Sequence, residues 1–228
     1  MKNNKDFLRQ VAIFAPLADA EMESVAQVFK ERRYKRNEIV FVEEDTGKYM
    51  YVVKEGRVKV SRILPNGRET ILTFHEAGEY FGEMSLIDGE TAPATVTAVV
   101  PTTILFITHR DFSLLLENPK VNRTLLEMLC KRCRDAWAQI SVLTFHHANA
   151  RIRAVLYHLC QKHGRKTNRG TRINLHLTHR ELAEMAGISR ETATRVLGQL
   201  QSEEVLAVEE GHFLISDPEK LVQPLLFE

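Results

Sequence analysis

The hydrophobic period of this chain changes twice, and each change marks a different part of the fold. Between Tyr34 and Ile107, short β-forming runs at 39–42, 49–53, 58–61, 70–74, 95–99 and 103–107 alternate with turn signals. The turns are Asp45-Thr46-Gly47, Glu55-Gly56, Pro65-Asn66-Gly67, Glu76-Ala77-Gly78 and Asp88-Gly89. Asn-Gly between strands is a strong hairpin signal, because both turn residues need positive φ. Strands this short and this frequent predict an antiparallel sandwich or barrel of about 75 residues. The preceding residues, 1–33, read as helical, with Met22, Val25, Ala26 and Phe29 at helical spacing.

From Asp111 the helical period returns and runs to about His147. Leu126, Leu129, Cys133, Ala136, Ile140, Leu143 and His147 follow one another at spacings of 3, 4, 3, 4, 3 and 4. That is a heptad seam, and a helix with one such stripe needs a partner to bury it. A parallel or near-parallel homodimer is the economical partner; the alternative is packing on the chain's own β domain. A helix over 150–163 follows, then a basic Gly-flanked loop, 164–170, and a strand, 172–177. Further strands at 205–208 and 212–215 complete the order of a winged helix.

Between those strands lies a helix-turn-helix pattern. Thr178-His179-Arg180-Glu181 is a capping box, in which hydroxyl and carboxylate satisfy each other's backbone donors. Gly187 stops the first helix, and Ser189 caps the second. At about 100° per residue, with Arg190 at zero, Thr194, Glu191 and Arg195 fall at about 40°, 100° and 140°, whereas Ala193, Val196, Leu197 and Leu200 fall at about 300°, 240°, 340° and 280°. One face is apolar. The other presents Arg190, Glu191, Thr194 and Arg195 in the first two turns, the end that a recognition helix places in the major groove. Arg pairs with guanine O6/N7, and Glu accepts from cytosine N4.

Charge supports contact with double-stranded DNA. The 228 residues carry a net charge of only +1. From Ala148 to Arg195, however, ten basic residues face three acids, and from Val196 onward one Lys faces seven acids. A basic block around a helix-turn-helix is the footprint expected for phosphate contact. No apolar run reaches the ~18 residues of a membrane span, and the N-terminus has no apolar signal core. Cys130, Cys133 and Cys160 form no disulfide framework, so a reducing cytoplasm is expected. No phosphate loop, zinc-hydrolase motif or serine nucleophile elbow is present, so the chain is not expected to be an enzyme.

Taken together, these residues resemble the CRP/FNR superfamily of bacterial transcription regulators. The resemblance runs over nearly the whole chain and is most specific at Ser189-Arg190-Glu191-Thr192 with Arg195, and at Phe81-Gly82-Glu83-Met84-Ser85-Leu86. It implies an α+β fold: an N-terminal antiparallel β-roll of the cyclic-nucleotide-binding kind (1–110), a long dimerisation helix (111–147) and a C-terminal winged helix-turn-helix (148–228). It also implies that Arg190, Glu191 and Arg195 read a palindrome similar to TGTGA-N6-TCACA, with Thr178, Ser189, Thr192 and Thr194 completing the DNA-binding set. RNA polymerase is the further partner implied.

The effector site departs from the family pattern. A Gly-Glu motif opens the family's phosphate-binding cassette, and Gly82 and Glu83 match it. The Arg and Ser that hold the cyclic phosphate are replaced by Ala92 and Pro93. Two polar helix residues that contact adenine are replaced by Ala136 and Trp137. Without an Arg fork or a donor at Pro93, cyclic AMP is disfavoured. Gly82, Glu83, Met84 and Ser85 are then either structural remnants or the lining of a pocket for another ligand. The N-terminal-cysteine type of iron–sulfur cluster is excluded, because no cysteine precedes Cys130. Cys130 and Cys133 are open to a thiol or metal role or to simple packing, and His146 and His147 to sensing or to a plain hinge position. The expected protein is a homodimeric regulator controlled by a ligand or redox signal other than cyclic AMP. The alternatives are a constitutively active factor with Trp137 in place of ligand and, from another class, a cyclic-nucleotide-binding regulatory subunit.

Overall fold

The computed structural model describes residues 2–222. Glu228, the last acid of the C-terminal acidic stretch, lies outside the described residues. The chain divides into two compact units, 1–63 with 71–132, and 133–228 with 64–70.

The first unit opens with α1 (Lys2–Leu8) and α2 (Asp19–Val28), then β1 (Lys30–Tyr34), β2 (Ile39–Phe41), β3 (Tyr49–Glu55), β4 (Arg57–Ile63), β5 (Glu69–Glu76) and β6 (Tyr80–Phe81). The short α3 (Met84–Asp88) precedes β7 (Thr95–Ala98) and β8 (Thr102–Thr108), and the helices α4 (His109–Leu116) and α5 (Pro119–Thr144) follow, α5 belonging to the first unit up to Arg132 and to the second from Cys133. The strands form two four-stranded sheets, β1-β8-β3-β6 and β2-β7-β4-β5. The period of two along β3 serves two cores. Met50 and Val52 join Leu8, Phe14, Met22, Leu105, Phe112 and Val121 under the helices. Val53 faces the other way, joining Tyr34, Phe81, Val96 and Ile104.

Two expectations are corrected here. Residues 30–33, read as the end of a helix, belong to β1, which pairs antiparallel with β8 from Lys30↔Phe106 to Tyr34↔Thr102. Its four charged residues sit on a sheet edge, where charge discourages further pairing. The helix read as continuous from Asp111 to about His147 is two helices, and Phe145 to His147 lie beyond the second. Pro119 cannot donate a backbone N–H and disfavours helical geometry at the residue before it, so it opens α5 rather than continuing α4.

Along α5, Val121 and Leu125 are buried in the first core, with Met128 and Leu129 packed against it. Leu129, assigned to the seam, therefore leans on its own β domain. The remaining seam residues are exposed: Leu126 by 63 %, Ile140 by 59 %, Leu143 by 41 %, with Cys133 and Ala136 also open.

The second unit contains α6 (Ala148–His163), β9 (Gly164–Thr167), β10 (Gly170–Ile173), α7 (His179–Ala186), α8 (Arg190–Ser202), β11 (Leu206–Glu209), β12 (His212–Ile215) and α9 (Glu219–Val222). Its sheet order is β11-β12-β10-β9. The basic segment 164–170 is not a loop but the first strand and turn of a hairpin, and the expected strand 172–177 survives only as β10. Gly170 makes the hairpin possible: φ is +134°, and a Cβ there would lie 2.2 Å from the Ile215 carbonyl oxygen.

Candidate functional site

The helix pair α7–α8 is set by its caps. Thr178 Oγ1 accepts from the Glu181 N–H at 3.1 Å, and a Glu181 carboxylate oxygen accepts from the Thr178 N–H at 2.7 Å. Gly187 ends α7 in left-handed conformation, φ +64° and ψ +36°. Ser189 Oγ then accepts from the Thr192 N–H at 3.2 Å and starts α8. Ala193, Val196, Leu197 and Leu200 are buried. Arg190, Glu191, Thr194 and Arg195 are exposed on the other face.

Not every DNA-set residue belongs to that exposed face. Thr178 uses its hydroxyl in the α7 cap, and Thr192 is half-buried with its Oγ1 3.0 Å from Ser189 Oγ. One residue that the sequence did not single out joins the site: His179 Nδ1 lies 3.0 Å from Thr194 Oγ1 and ties α7 to the reading face of α8. No local pattern marks a pair fifteen residues apart. Glu191 is held below the usual carboxylate range by its own backbone N–H, by the Ser189 hydroxyl and by the neighbouring Arg190 charge. It is therefore an anionic acceptor at neutral pH.

The basic block is partly neutralised within its own unit. Arg153 pairs with Glu203, Lys162 with Asp135, Arg169 with Glu209, Arg172 with Glu210 and Arg180 with Glu184. Among the described residues, Arg165, Lys166, Arg190 and Arg195 form no salt bridge, although Glu191 stands beside Arg190, and all four are exposed. The free positive charge is thus concentrated on the β9–β10 hairpin and the first turns of α8.

The cassette residues of the roll are scattered by comparison. Gly82 has φ +82°, and a Cβ there would lie 2.9 Å from both the Tyr49 carbonyl oxygen and the Tyr51 ring. Glu83 is wholly buried and ion-paired with Arg132 of α5. Its second oxygen has no partner among the described residues. Arg132 also stacks on Tyr80, 5.0 Å from the ring centre. That pairing spans forty-nine residues and has no sequence signature. Gly82, Ser85 and Ala92 line a cavity of about 260 Å³, whose other walls include Tyr34, Phe41, Tyr49, Tyr51 and Phe106. Met84 and Pro93 are exposed instead. Ala136 and Trp137 are exposed in the second unit, Trp137 by 67 %.

Cys130 and Cys133 are exposed, and burial pushes the Cys160 thiol up to about 12. His146 and His147 are exposed, and the His147 side chain makes no capping bond to α6. Among the described residues no group of three or more His, Cys, Asp or Glu side chains is placed to hold a metal ion, and no helix is long and apolar enough to cross a membrane.

Known families match both halves of this arrangement. Residues 31–118 match the cyclic nucleotide-binding domain, and residues 150–223 match the Crp-like helix-turn-helix domain. The cyclic AMP receptor protein of Thermus thermophilus is 32 % identical over 200 residues, 87 % of this chain and 89 % of the relative. The chain belongs to the CRP/FNR family of transcription regulators. The global nitrogen regulator of Synechococcus elongatus is 28 % identical, over 84 % of this regulator and 87 % of that protein. Among solved structures, a CooA mutant from Carboxydothermus hydrogenoformans aligns with a TM-score of 0.75 at 26 % identity, over 87 % of this regulator and 88 % of that chain. Members of this CRP/FNR family are DNA-binding transcription regulators, not enzymes.

Proposed function

We propose that this regulator is a cytoplasmic homodimer that binds a palindrome similar to TGTGA-N6-TCACA, and that its roll answers to a ligand or redox signal other than cyclic AMP. The observation that carries the DNA half of the reading is the exposure of Arg190, Glu191, Thr194 and Arg195 on the first two turns of a helix capped by Ser189. In the major groove each Arg donates to guanine O6/N7, and Glu191 accepts from cytosine N4. Arg165 and Lys166 add phosphate contacts that carry no sequence information.

The dimer reading rests on the exposed stripe Leu126, Cys133, Ala136, Ile140 and Leu143, which a second α5 covers. A two-fold dimer matches a palindromic site. RNA polymerase is the partner through which such a complex acts on transcription. Cyclic AMP stands in the names of relatives from Thermus thermophilus, Mycobacterium tuberculosis and Haemophilus influenzae. Here, however, Ala92 and Pro93 stand where the resemblance expects the phosphate-holding Arg and Ser. Sequence selection from a random DNA pool tests the reading: a recovered half-site unlike TGTGA overturns it.

One observation favours a second reading, a constitutively active factor. Glu83, the acid of the cassette motif, has a cationic partner within the chain itself, Arg132. Gel shifts with additive-free protein separate the two, since tight specific binding supports the constitutive form.

A further inference from the structure

Several hydroxyls in the helices of this chain turn back on their own helix. Ser24, Ser113, Thr124 and Ser202 each donate to the carbonyl four residues earlier, at 2.9–3.2 Å. Thr194 does not. Among the described residues its Oγ1 has one hydrogen-bond partner, His179 Nδ1 at 3.0 Å, and that partner stands on the other helix of the pair. The His179 ring is flanked by a third element: Phe213 of β12 lies 6.4 Å away, centre to centre, at an interplanar angle of 28°. His179 is half-buried, whereas Thr194 is exposed on the face of α8 that carries Arg190 and Arg195.

A threonine hydroxyl has one hydrogen to give and two lone pairs. What it offers a base depends on where that hydrogen is committed. A neutral imidazole nitrogen without hydrogen accepts it, which leaves the Oγ1 lone pairs for a donor in the groove, cytosine N4 or adenine N6. An imidazolium donates from both nitrogens, which turns the hydroxyl hydrogen outward to an acceptor, guanine O6/N7 or thymine O4. Histidine is the side chain whose charge ordinarily changes between about pH 5 and 8.

Charged neighbours come from three elements. On α7, Arg180 is paired with Glu184, and Glu181 serves the Thr178 cap. On α8, Arg190 stands one turn before Thr194, with Glu191 and Arg195 on the same face. On β12, Phe213 is uncharged, and its neighbour His212 is engaged with His176 and Arg172.

We propose that His179 determines base specificity through Thr194: neutral, it sets Thr194 to read a base donor, and protonated, a base acceptor. His179 is then a positioning residue that needs no base contact of its own. The proposal rests on the reading of α8 as the recognition helix and adds to it a residue of α7.

Selection from a random DNA pool with the full chain, at about pH 6 and about pH 8.5, tests it. One position of each half-site is expected to shift from a donor base at high pH to an acceptor base at low pH, by about five-fold, the worth of one hydrogen bond. The positions assigned to Arg190, Glu191 and Arg195 should stay the same. Thr194→Val is expected to flatten the preference at that position at both pH values. His179→Leu should do so too, because the released hydroxyl turns back on its own helix. His179→Asn keeps a hydrogen-bonding side chain that does not titrate, so it is expected to restore a preference and remove its pH dependence. A preference unchanged in His179→Leu, or a pH shift that persists in His179→Asn, overturns the proposal. Long-range proton–nitrogen NMR of the free protein reads the bond without DNA: His179 ring signals identical in the parent and in Thr194→Val overturn it as well. A half-site unlike TGTGA that still carries the His179-dependent position removes the palindrome reading and leaves this one standing.

Discussion

The recognition helix and the roll cassette are both short runs marked by a glycine, yet they are organised in opposite ways. Around Gly187, helical periodicity alone sorts the side chains, so Arg190, Glu191, Thr194 and Arg195 share one exposed face. Around Gly82, neighbours in sequence part company: Glu83 is buried on Arg132, Met84 is exposed, and Ser85 reaches the cavity. The reading head keeps its charges exposed, whereas the sensor pairs its buried Glu83 internally with Arg132. A capped helix is a local object that tolerates free charge in water; a roll interior must answer every charge it encloses.

The largest expected effect tests that enclosure. Arg132→Ala leaves Glu83 buried and unpaired and is expected to cost about 3–5 kcal/mol in denaturant unfolding. Adding Glu83→Gln to that variant is expected to restore most of the loss. Equal stability of the two variants would mean that solvent already reaches the carboxylate. Next come the free charges of the head. Arg190→Ala and Arg195→Ala are each expected to weaken specific DNA binding by about 1–3 kcal/mol and to relax one base pair of the selected site, read by selection and gel shift.

Smaller effects sharpen the contrast within the second unit. Thr178→Ala removes a cap and is expected to cost about 1 kcal/mol of thermal stability. Arg165→Gln or Lys166→Gln is expected to lower the slope of log K against log salt by about 1. Arg169→Gln should lower it less, because Arg169 is already 2.6 Å from Glu209. The smallest effect is on pH. Burial, His176 and Arg172 hold the His212 imidazole below its ordinary range, against the opposing Glu210. A lowered folded value means that stability is complete above the unfolded value of about 6.5 and declines as pH falls from there through the folded value. Thermal midpoints at pH 7.5 and 5.5 should therefore differ less in His212→Gln than in the parent chain.

The β-rich stretch, the capping box, the glycine stop and the apolar face of α8 were all legible, because each depends on residues within one or two turns of each other. The edge strand β1 was not: its residues are charged, and only pairing with β8, some seventy residues on, makes them a strand. The basic segment 164–170 read as a loop because its residues are polar and charged, with no apolar alternation; it becomes a strand by pairing with β10, from Gly170↔Thr167 to Ile173↔Gly164.

The amino-acid sequence by itself therefore determined the succession of β-rich, long-helical and helix-turn-helix regions, the family and the face on which α8 carries its arginines, since periodicity and caps are short-range. Tertiary structure alone decided that Glu83 belongs to Arg132, that four of the ten basic residues between Ala148 and Arg195 are paired with acids on other elements, and that tyrosines from different strands meet around one cavity. Those facts depend on which strands become neighbours. The energy that selects them, burial of apolar surface across two sheets, is distributed over many residues and leaves no compact pattern to read.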